Sequence, residues 1–158
     1  MPIYDDEKDA DKIIDNKWIG NHRSSTNRSF LKKHNIKRIL NVTKDYKNSF
    51  YGIEYYRIPA SSHNDLTDIN IVYEIYDFIN KGDVLIHCKN GHRRSAIIMA
   101  MYMMIRYNNP KNLVIECITH KRHRTFPKTT NTEILDKLER VLFDNNTNPT
   151  VLDKLVTR

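Results

Sequence analysis

A chain of 158 residues, of which 39% are apolar and 28% charged, has enough apolar side chains to bury the core of one domain, and this excludes an intrinsically disordered protein. Its formal charge of +7 favours an anionic partner, such as a phosphorylated substrate, nucleic acid or an acidic membrane surface. Charge alone does not select among these partners.

The first half of the chain alternates segments typical of strands with segments typical of helices. Residues 12–20, 36–43 and 53–60 are short and rich in Ile, Val and Tyr, which predicts three strands. A helix is predicted between the first two strands, at residues 26–35. Residues 68–80 predict a second helix, because apolar side chains recur there on one helical face.

The second half of the chain continues the alternation. Residues 83–88 predict a fourth strand, which leads into residues 95–107. That second segment is apolar nearly all round, so we expect a central, buried helix. Residues 110–122 predict a helix that opens with a proline, a residue suited to the first helical turn, and residues 131–143 predict a last helix. Alternating strands and helices predict an α/β fold, with helices covering both faces of a sheet.

We expect a single domain over residues 1–143 and a C-terminal tail at residues 144–158. The tail begins as a polar linker and ends in a short amphipathic stretch. Three alternatives are open for it: local packing, a homodimer contact, or fraying.

The cysteines and the ends of the chain bear on its location. Cys88 and Cys117 are too few for a disulfide framework, which predicts a reducing compartment. Cys117 lies in the amphipathic helix predicted at residues 110–122, and we expect it in the core. The acidic N-terminal segment lacks the apolar stretch of a signal peptide, and the longest apolar run, residues 96–105, is too short to span a bilayer. We therefore expect a cytoplasmic protein, with the nucleus as the alternative.

The sequence GDVLIHCKNGHRRSA at residues 82–96 places a cysteine and an arginine at the two ends of a short loop between a strand and a helix. The thiolate is the nucleophilic form of cysteine, and the N–H groups at a helix N-terminus favour it. The same N–H groups can hold the oxygens of a phosphoryl group. Gly91 lets the backbone turn inward, and the planar guanidinium of Arg94 matches two phosphate oxygens. Cys88 is therefore the predicted nucleophile for phosphoryl transfer.

The neighbours of Cys88 have predicted supporting roles. His87 can fix the loop, and Ser95 can donate a hydrogen bond to the sulfur. The predicted phosphate-binding residues are Lys89, Asn90, Gly91, His92, Arg93 and Arg94. A cysteine at the end of a strand is more often a small buried apolar residue, but the order of strand, glycine-containing loop, Arg-Ser and buried helix is what this chemistry requires.

The segment VLIHCKNGHRRSA resembles the signature of the cysteine-dependent dual-specificity protein phosphatases, in which His-Cys and Arg-Ser are separated by five residues. The resemblance covers most of the chain. IIDNKWIGN followed by FLKKHNIKRILNVTKD is similar to the family's opening strand, first helix and second strand. YYRIPASS is similar to the strand before its general-acid loop, and AIIMAMYMM to the helix after the cysteine loop. In its compact size the chain resembles the small atypical members, including viral ones, for which the virion is a further location.

This resemblance implies a fold and an activity. The fold is the cysteine-phosphatase fold, a central, mostly parallel sheet of about five strands flanked by helices on both faces. The activity is hydrolysis of phosphotyrosine and phosphoserine/threonine in proteins through a phosphocysteine, without a metal or other cofactor. Cys88 is the implied nucleophile, Arg94 binds the phosphate, and Ser95 assists breakdown of the intermediate. The backbone of residues 89–94 is the implied phosphate cradle.

The general acid is where the sequence departs from the family pattern. The family carries an aspartate on the loop after the third strand, and Ser62 stands at the expected position. Asp65 follows three residues later, and we expect a longer loop to bring its carboxylate to the same place. Asp68 is expected to cap the helix that starts near Ile69. The alternatives to Asp65 are Asp68, His63 and the absence of an acid.

Basic residues around the loop are a second departure. Lys89, His92 and Arg93 crowd the cradle, and the basic segment at residues 120–128 is expected to approach the same face. A pocket for a multiply charged substrate and a solvated surface stretch both explain that segment, and the second explanation is the more common one. Its two histidines lack the further ligands of a metal site.

Three functions remain open at this point. The first is a phosphatase for phosphorylated proteins. The second is a phosphatase for another polyanion, such as a phosphoinositide or the 5′ phosphates of RNA. The third is a pseudophosphatase that binds phosphorylated partners without hydrolysing them, a function that the displaced acid favours and the intact Cys88 and Arg94 oppose.

Overall fold

The computed structural model of the chain describes residues 8–144, which contain a five-stranded sheet. The strands are β1 (Ala10–Ile14), β2 (Lys17–Gly20), β3 (Arg38–Asn41), β4 (Glu54–Arg57) and β5 (Val84–His87). Their order in the sheet is β1, β2, β5, β3, β4. Only β1 runs antiparallel to its neighbour, and the other pairs are parallel. The predicted mostly parallel sheet is confirmed.

The single strand expected at residues 12–20 is wrong, because this segment belongs to two antiparallel strands joined by a tight turn. Asp15 in the turn has a φ of 49°, a left-handed conformation that Asp and Asn tolerate better than most residues. The indole N–H of Trp18 donates a hydrogen bond to Asn16 Oδ1 at 2.8 Å, closing the turn. Each half of the segment satisfies the strand pattern by itself, so the pattern does not show where the chain reverses.

The helices are α1 (His22–Ser25), α2 (Arg28–Lys33), α3 (Val72–Asn80), α4 (Arg94–Tyr107), α5 (Lys111–Lys121) and α6 (Glu133–Phe143), with 3₁₀ helices at His63–Asp65 and Ile69–Ile71. The predicted helix at residues 26–35 is present as the shorter α2, and α1 precedes it. Two asparagines begin these helices, because Asn21 Oδ1 accepts from Ser24 N–H at 3.0 Å and Asn27 Oδ1 from Phe30 N–H at 3.1 Å.

Two apolar clusters cover the two faces of the sheet. The larger contains the apolar side chains of α3, α4 and α6, and Ser95 to Met104 of α4 are all buried, as predicted for a central helix. The smaller lies against α2 and includes Trp18, Leu31 and Leu85. Since successive side chains of a strand point to opposite faces, β5 contributes to both clusters and is wholly buried.

The helix α5 corrects one prediction. Cys117, which we expected in the core, is exposed, because α5 directs Val114 and Ile118 inward instead. Within residues 8–144 no helix is long and apolar enough to cross a membrane. The tail at residues 144–158 lies outside the described residues except for Asp144, so its division from the domain stays a prediction.

Candidate active site

The loop from Cys88 to Arg94 begins where the buried strand β5 ends and leads into the first residue of α4. Its backbone curls around the sulfur of Cys88, and the residue Cys88 is 3% exposed. The N–H of Gly91 donates a hydrogen bond to Sγ at 3.2 Å, and Ser95 Oγ lies 3.2 Å from the same atom. Hydrogen-bond donors at these distances hold the sulfur in a fixed position at the start of the loop, as a nucleophile requires.

Glycine is required at position 91 for two reasons. Its φ is 76°, in the left-handed region that other residues rarely adopt. A Cβ there would also lie 2.7 Å from both the carbonyl carbon and the carbonyl oxygen of Gly20, at the end of β2. The loop therefore turns inward only because two backbones approach each other without a side chain between them.

Arg94 spans the pocket between the cysteine loop and the segment after β4. Its Nη1 donates to the carbonyl oxygen of Ala60 at 2.8 Å. The cavity next to it has a volume of about 150 Å³ and is lined by Ser61, Ser62, His63, Cys88, Asn90, His92, Arg93 and Arg94. The guanidinium of Arg94 and the sulfur of Cys88 thus face one space, which is open to an anionic ligand.

His87 fixes the start of the loop as a neutral side chain. Burial, and to a lesser extent the nearby His22 and Arg94, lowers the pKa of His87 to about 4. Its Nδ1 lies 3.3 Å from the carbonyl oxygen of Cys88, and the neutral ring donates its Nδ1–H there. His87 therefore holds the backbone of the cysteine without adding a positive charge beside the sulfur.

Backbone contacts from three other segments hold the loop in place. The N–H of Cys88 donates to Gly20 O at 3.3 Å, and the N–H of His22 donates to Lys89 O at 3.0 Å. From the segment after α5, the N–H of Phe126 donates to His92 O at 3.0 Å. The expected approach of residues 120–128 to this face is thus observed.

A sequence profile described as the dual specificity phosphatase catalytic domain matches residues 18–140. The chain belongs to this family. Dual specificity protein phosphatase 1B of Arabidopsis thaliana is 26% identical over 144 residues, which are 87% of this chain and 86% of the relative. Dual specificity protein phosphatase 7 of Homo sapiens is 32% identical over 124 residues, which are 73% of this chain but only 30% of that protein.

Solved structures agree with this assignment at the level of the fold. The crystal structure of DUSP15 superposes with a TM-score of 0.78 at 21% identity, covering 94% of this chain and 96% of that one. The predicted fold and enzyme class, a cysteine-dependent phosphatase, are confirmed by the family match together with the sheet topology.

The residue proposed as the general acid of this phosphatase has a capping role that we did not expect. Asp65 Oδ2 accepts from Ser61 N–H at 2.8 Å and from Ser62 N–H at 3.2 Å. Ser62 Oγ in turn accepts from Asn64 N–H at 3.1 Å, which completes a capping box on the 3₁₀ helix. Asp65 is not among the residues that line the cavity, so its role as an acid stays a prediction.

The two alternatives to Asp65 are placed differently. Asp68 caps the turn at Ile69–Ile71, as predicted, because its Oδ1 accepts from Asn70 N–H at 2.9 Å. His63 lines the cavity, and its Nε2 accepts from Asn131 N–H at 3.0 Å. Burial lowers the pKa of His63, as do the charges of Arg93 and Arg94. His63 is therefore a neutral ring near pH 7, a hydrogen-bonding group at the pocket wall rather than a strong acid.

The structure shows which of the basic residues around the loop line the cavity and which do not. His92 and Arg93 line the cavity, whereas Lys89 is exposed and does not. Arg93 Nη2 donates to Thr129 Oγ1 at 2.9 Å, which ties it to the segment after α5. Among the described residues, no group of three or more His, Cys, Asp or Glu side chains is placed to hold a metal ion.

One functional neighbour of the loop was missed in the sequence. Arg122 belongs to the basic segment at residues 120–128, for which a solvated surface was the more common explanation. Its side chain is 2% exposed and contacts the cysteine loop directly. A single arginine in a basic stretch carries no local signal of burial, because the carbonyls and the carboxylate that its guanidinium contacts here are distant in sequence.

Proposed function

We propose that this phosphatase hydrolyses phosphotyrosine and phosphoserine/threonine in proteins through a phosphocysteine intermediate. The observation that carries the proposal is the sulfur of Cys88, which the Gly91 N–H and Ser95 Oγ both contact at 3.2 Å on the wall of a cavity shared with Arg94. Phosphoryl transfer needs an in-line nucleophile and donors for the charge of the phosphoryl oxygens, and this arrangement supplies both.

In the first step, the sulfur of Cys88 attacks the phosphorus and the bond to the substrate oxygen breaks. The backbone N–H groups of residues 89–94 and the guanidinium of Arg94 bind the phosphoryl oxygens. In the second step, water attacks the phosphocysteine and the sulfur leaves. Ser95 Oγ is close enough to Sγ to donate a hydrogen bond to the departing thiolate, which is the role proposed for it.

Asp65 is our proposed general acid, and the proposal requires its carboxylate to move. In the capping arrangement the carboxylate is held by the N–H groups of Ser61 and Ser62, two residues that line the cavity. Loss of those two hydrogen bonds frees it at the cavity wall. The competing possibility is that no acid acts, in which case substrates with good leaving groups are preferred.

A second candidate function is hydrolysis of a non-protein polyanion, such as a phosphoinositide or the 5′ phosphates of RNA. It is favoured by the composition of the cavity wall, where Arg93 and His92 accompany Arg94 and no carboxylate is present among the lining residues. Arg94 and the backbone can bind one phosphoryl group, and Arg93 adds a second positive charge at the same wall, which would attract further negative charge on the substrate.

The experiment is turnover of p-nitrophenyl phosphate, phosphopeptides, phosphoinositides and triphosphorylated RNA, with Cys88→Ser as the blank. We expect Cys88→Ser to abolish hydrolysis while retaining phosphate-analogue binding, because a serine hydroxyl stays protonated without a neighbouring base. Wild-type turnover by Cys88→Ser contradicts the whole proposal. No turnover of the aryl phosphate by the unmutated protein would indicate a pseudophosphatase, since that substrate needs no acid.

A further inference from the structure

A buried guanidinium lies directly behind the cysteine loop. Arg122, just after the C-terminal end of α5, is 2% exposed. On one side, its Nε donates to Gly91 O at 2.9 Å and its Nη2 to Asn90 O at 3.1 Å. On the other, its Nη1 donates to Lys8 O at 2.7 Å and to Asp11 Oδ2 at 2.8 Å. A buried charge is costly unless it is paired and hydrogen-bonded, and this one is both.

Peptide geometry transmits these contacts to the nucleophile. Because the peptide unit is planar and trans, its carbonyl and its N–H point in opposite directions. The carbonyl of Asn90 points to Arg122, so the N–H of Gly91 in the same peptide unit points away from it, and this N–H donates to Cys88 Sγ at 3.2 Å. The next carbonyl, that of Gly91, also accepts from Arg122, so the N–H of His92 is directed away from Arg122 in the same manner.

The ion pair fixes the guanidinium itself. Asp11 lies on β1, at the edge of the sheet, and its carboxylate pairs with Nη1 of Arg122, whereas Nε and Nη2 donate to the loop carbonyls. The fork of Arg122 thus has a fixed orientation, set by the first strand, when it meets the two carbonyls. A lysine has a single nitrogen and cannot contact Asp11 and both carbonyls in the same geometry.

We propose that Arg122, held by Asp11, is a positioning residue that aims the amide N–H groups of Gly91 and His92 at the thiolate and the bound phosphoryl group. The proposal rests on the phosphatase function of Cys88 proposed above. It gives Arg122 no contact with the substrate, since Arg122 does not line the cavity. Its effect passes through the orientation of two peptide units.

The test compares Arg122→Lys and Asp11→Asn with Asp136→Asn. Asp136 forms an ion pair with Lys111 at 2.5 Å between α5 and α6, away from the loop, so it is a matched control for loss of an ion pair. Three quantities are measured: inhibition by vanadate, a phosphate analogue; the pH profile of Cys88 alkylation by iodoacetamide; and thermal unfolding. Alkylation and vanadate inhibition report on the orientation of the loop, whereas unfolding reports on stability.

We expect Arg122→Lys to weaken vanadate inhibition by about 10- to 100-fold, an effect no larger than the loss of rate on removing one oxyanion donor. We also expect alkylation of Cys88 to require a higher pH. Asp11→Asn should change vanadate inhibition and Cys88 alkylation in the same direction by a smaller factor. Asp136→Asn should leave vanadate inhibition and Cys88 alkylation unchanged. If Arg122→Lys does not fold, Asp11→Asn decides the question.

A folded Arg122→Lys or Asp11→Asn that has a lower unfolding temperature but wild-type vanadate inhibition and alkylation overturns the positioning role. That outcome is distinct from failure of the proposed function, because Cys88→Ser would still abolish hydrolysis. If Cys88→Ser keeps wild-type turnover, the proposed function itself has failed, whatever the Arg122 variants do.

Discussion

Asp65→Asn is the substitution that decides how the leaving group is protonated. The asparagine keeps an oxygen that can accept from the N–H groups of Ser61 and Ser62, so the capping of the 3₁₀ helix is largely retained. What it removes is the exchangeable acid proton. We expect hydrolysis of a phosphoserine peptide to slow, because its alkoxide leaving group needs a proton, while hydrolysis of p-nitrophenyl phosphate changes little.

The size of the effect follows from the two hydrogen bonds of the carboxylate, at 2.8 and 3.2 Å. At a net contribution of about 1 kcal/mol each, freeing Asp65 costs about 2 kcal/mol, or about 30-fold in population. A general acid contributes about 10²–10⁴-fold. Dividing the acid's contribution by the roughly 30-fold cost of freeing Asp65 leaves a net rate enhancement of about 3- to 300-fold. Asp65→Asn should therefore slow hydrolysis of the phosphoserine peptide by about this factor.

The assay is kcat/KM for the two substrates between pH 5 and 9, for the unmutated chain, Asp65→Asn and Asp68→Asn. Asp68 is the matched control, because it caps a neighbouring turn and does not line the cavity. In the unmutated chain, acid catalysis should raise the rate on the peptide relative to that on p-nitrophenyl phosphate, and Asp65→Asn should lower that ratio. Asp68→Asn should leave both substrate rates unchanged.

Two outcomes would refute this reasoning. If Asp65→Asn slows both substrates equally, its effect is structural rather than acid catalysis. If it slows neither and the ratio of the two rates is unchanged, the carboxylate stays in its capping position and Asp65 is not the acid. The phosphatase would then act without an acid, and low rates on alkyl phosphates in the unmutated chain would accompany that result.

Three further predictions concern stability, charge and labelling. Since the pKa of His87 falls from 6.5 to about 4 on folding, the unfolded chain binds the extra proton between these values. His87 therefore lowers the free energy of unfolding by up to about 3 kcal/mol as the pH drops from about 6.5 to about 4, and urea unfolding of His87→Asn should show a smaller loss over that range. Arg93→Gln should weaken activity on triphosphorylated RNA or a phosphoinositide more than on a phosphotyrosine peptide, with Lys89→Gln as the control outside the cavity; equal losses on all substrates would remove the case for a polyanion. Iodoacetamide at pH 6 should label Cys88 before the exposed Cys117, since two donors contact the Cys88 sulfur in the proposed phosphate cradle. Phosphate should protect only Cys88, and equal labelling, read by mass spectrometry, would contradict an activated thiol.

The residues to which we assign the chemistry of the cysteine loop are close together in the sequence, which is why the sequence alone could suggest their roles. The proposed cradle is one continuous segment, in which Gly91 turns the backbone toward the Cys88 sulfur and Arg94 brings its guanidinium to the same pocket. The α/β architecture and the buried helix α4 are likewise consequences of local apolar patterns. For these features the sequence carries both the residue types and their relative positions.

Features that depend on distant contacts required the tertiary structure. The capping role of Asp65 also required the structure, although its partners Ser61 and Ser62 are near in sequence. A carboxylate on a loop can act as a helix cap or as an acid, and only the direction of its side chain shows which role it takes. Cys117 was misplaced because α5 packs on α4 through Val114 and Ile118, and a weakly amphipathic helix does not reveal which face is covered.

Arg122 is the clearest case of a role that the sequence alone does not determine. In composition it is one more cation in a basic segment. The partners of its guanidinium include Asp11 on the first strand and two carbonyls of the cysteine loop, which are 111, 31 and 32 residues away along the chain. Only the packing of α5 against the sheet brings these three groups around one guanidinium, because backbone carbonyls are present at every residue and carry no sequence signature of their own.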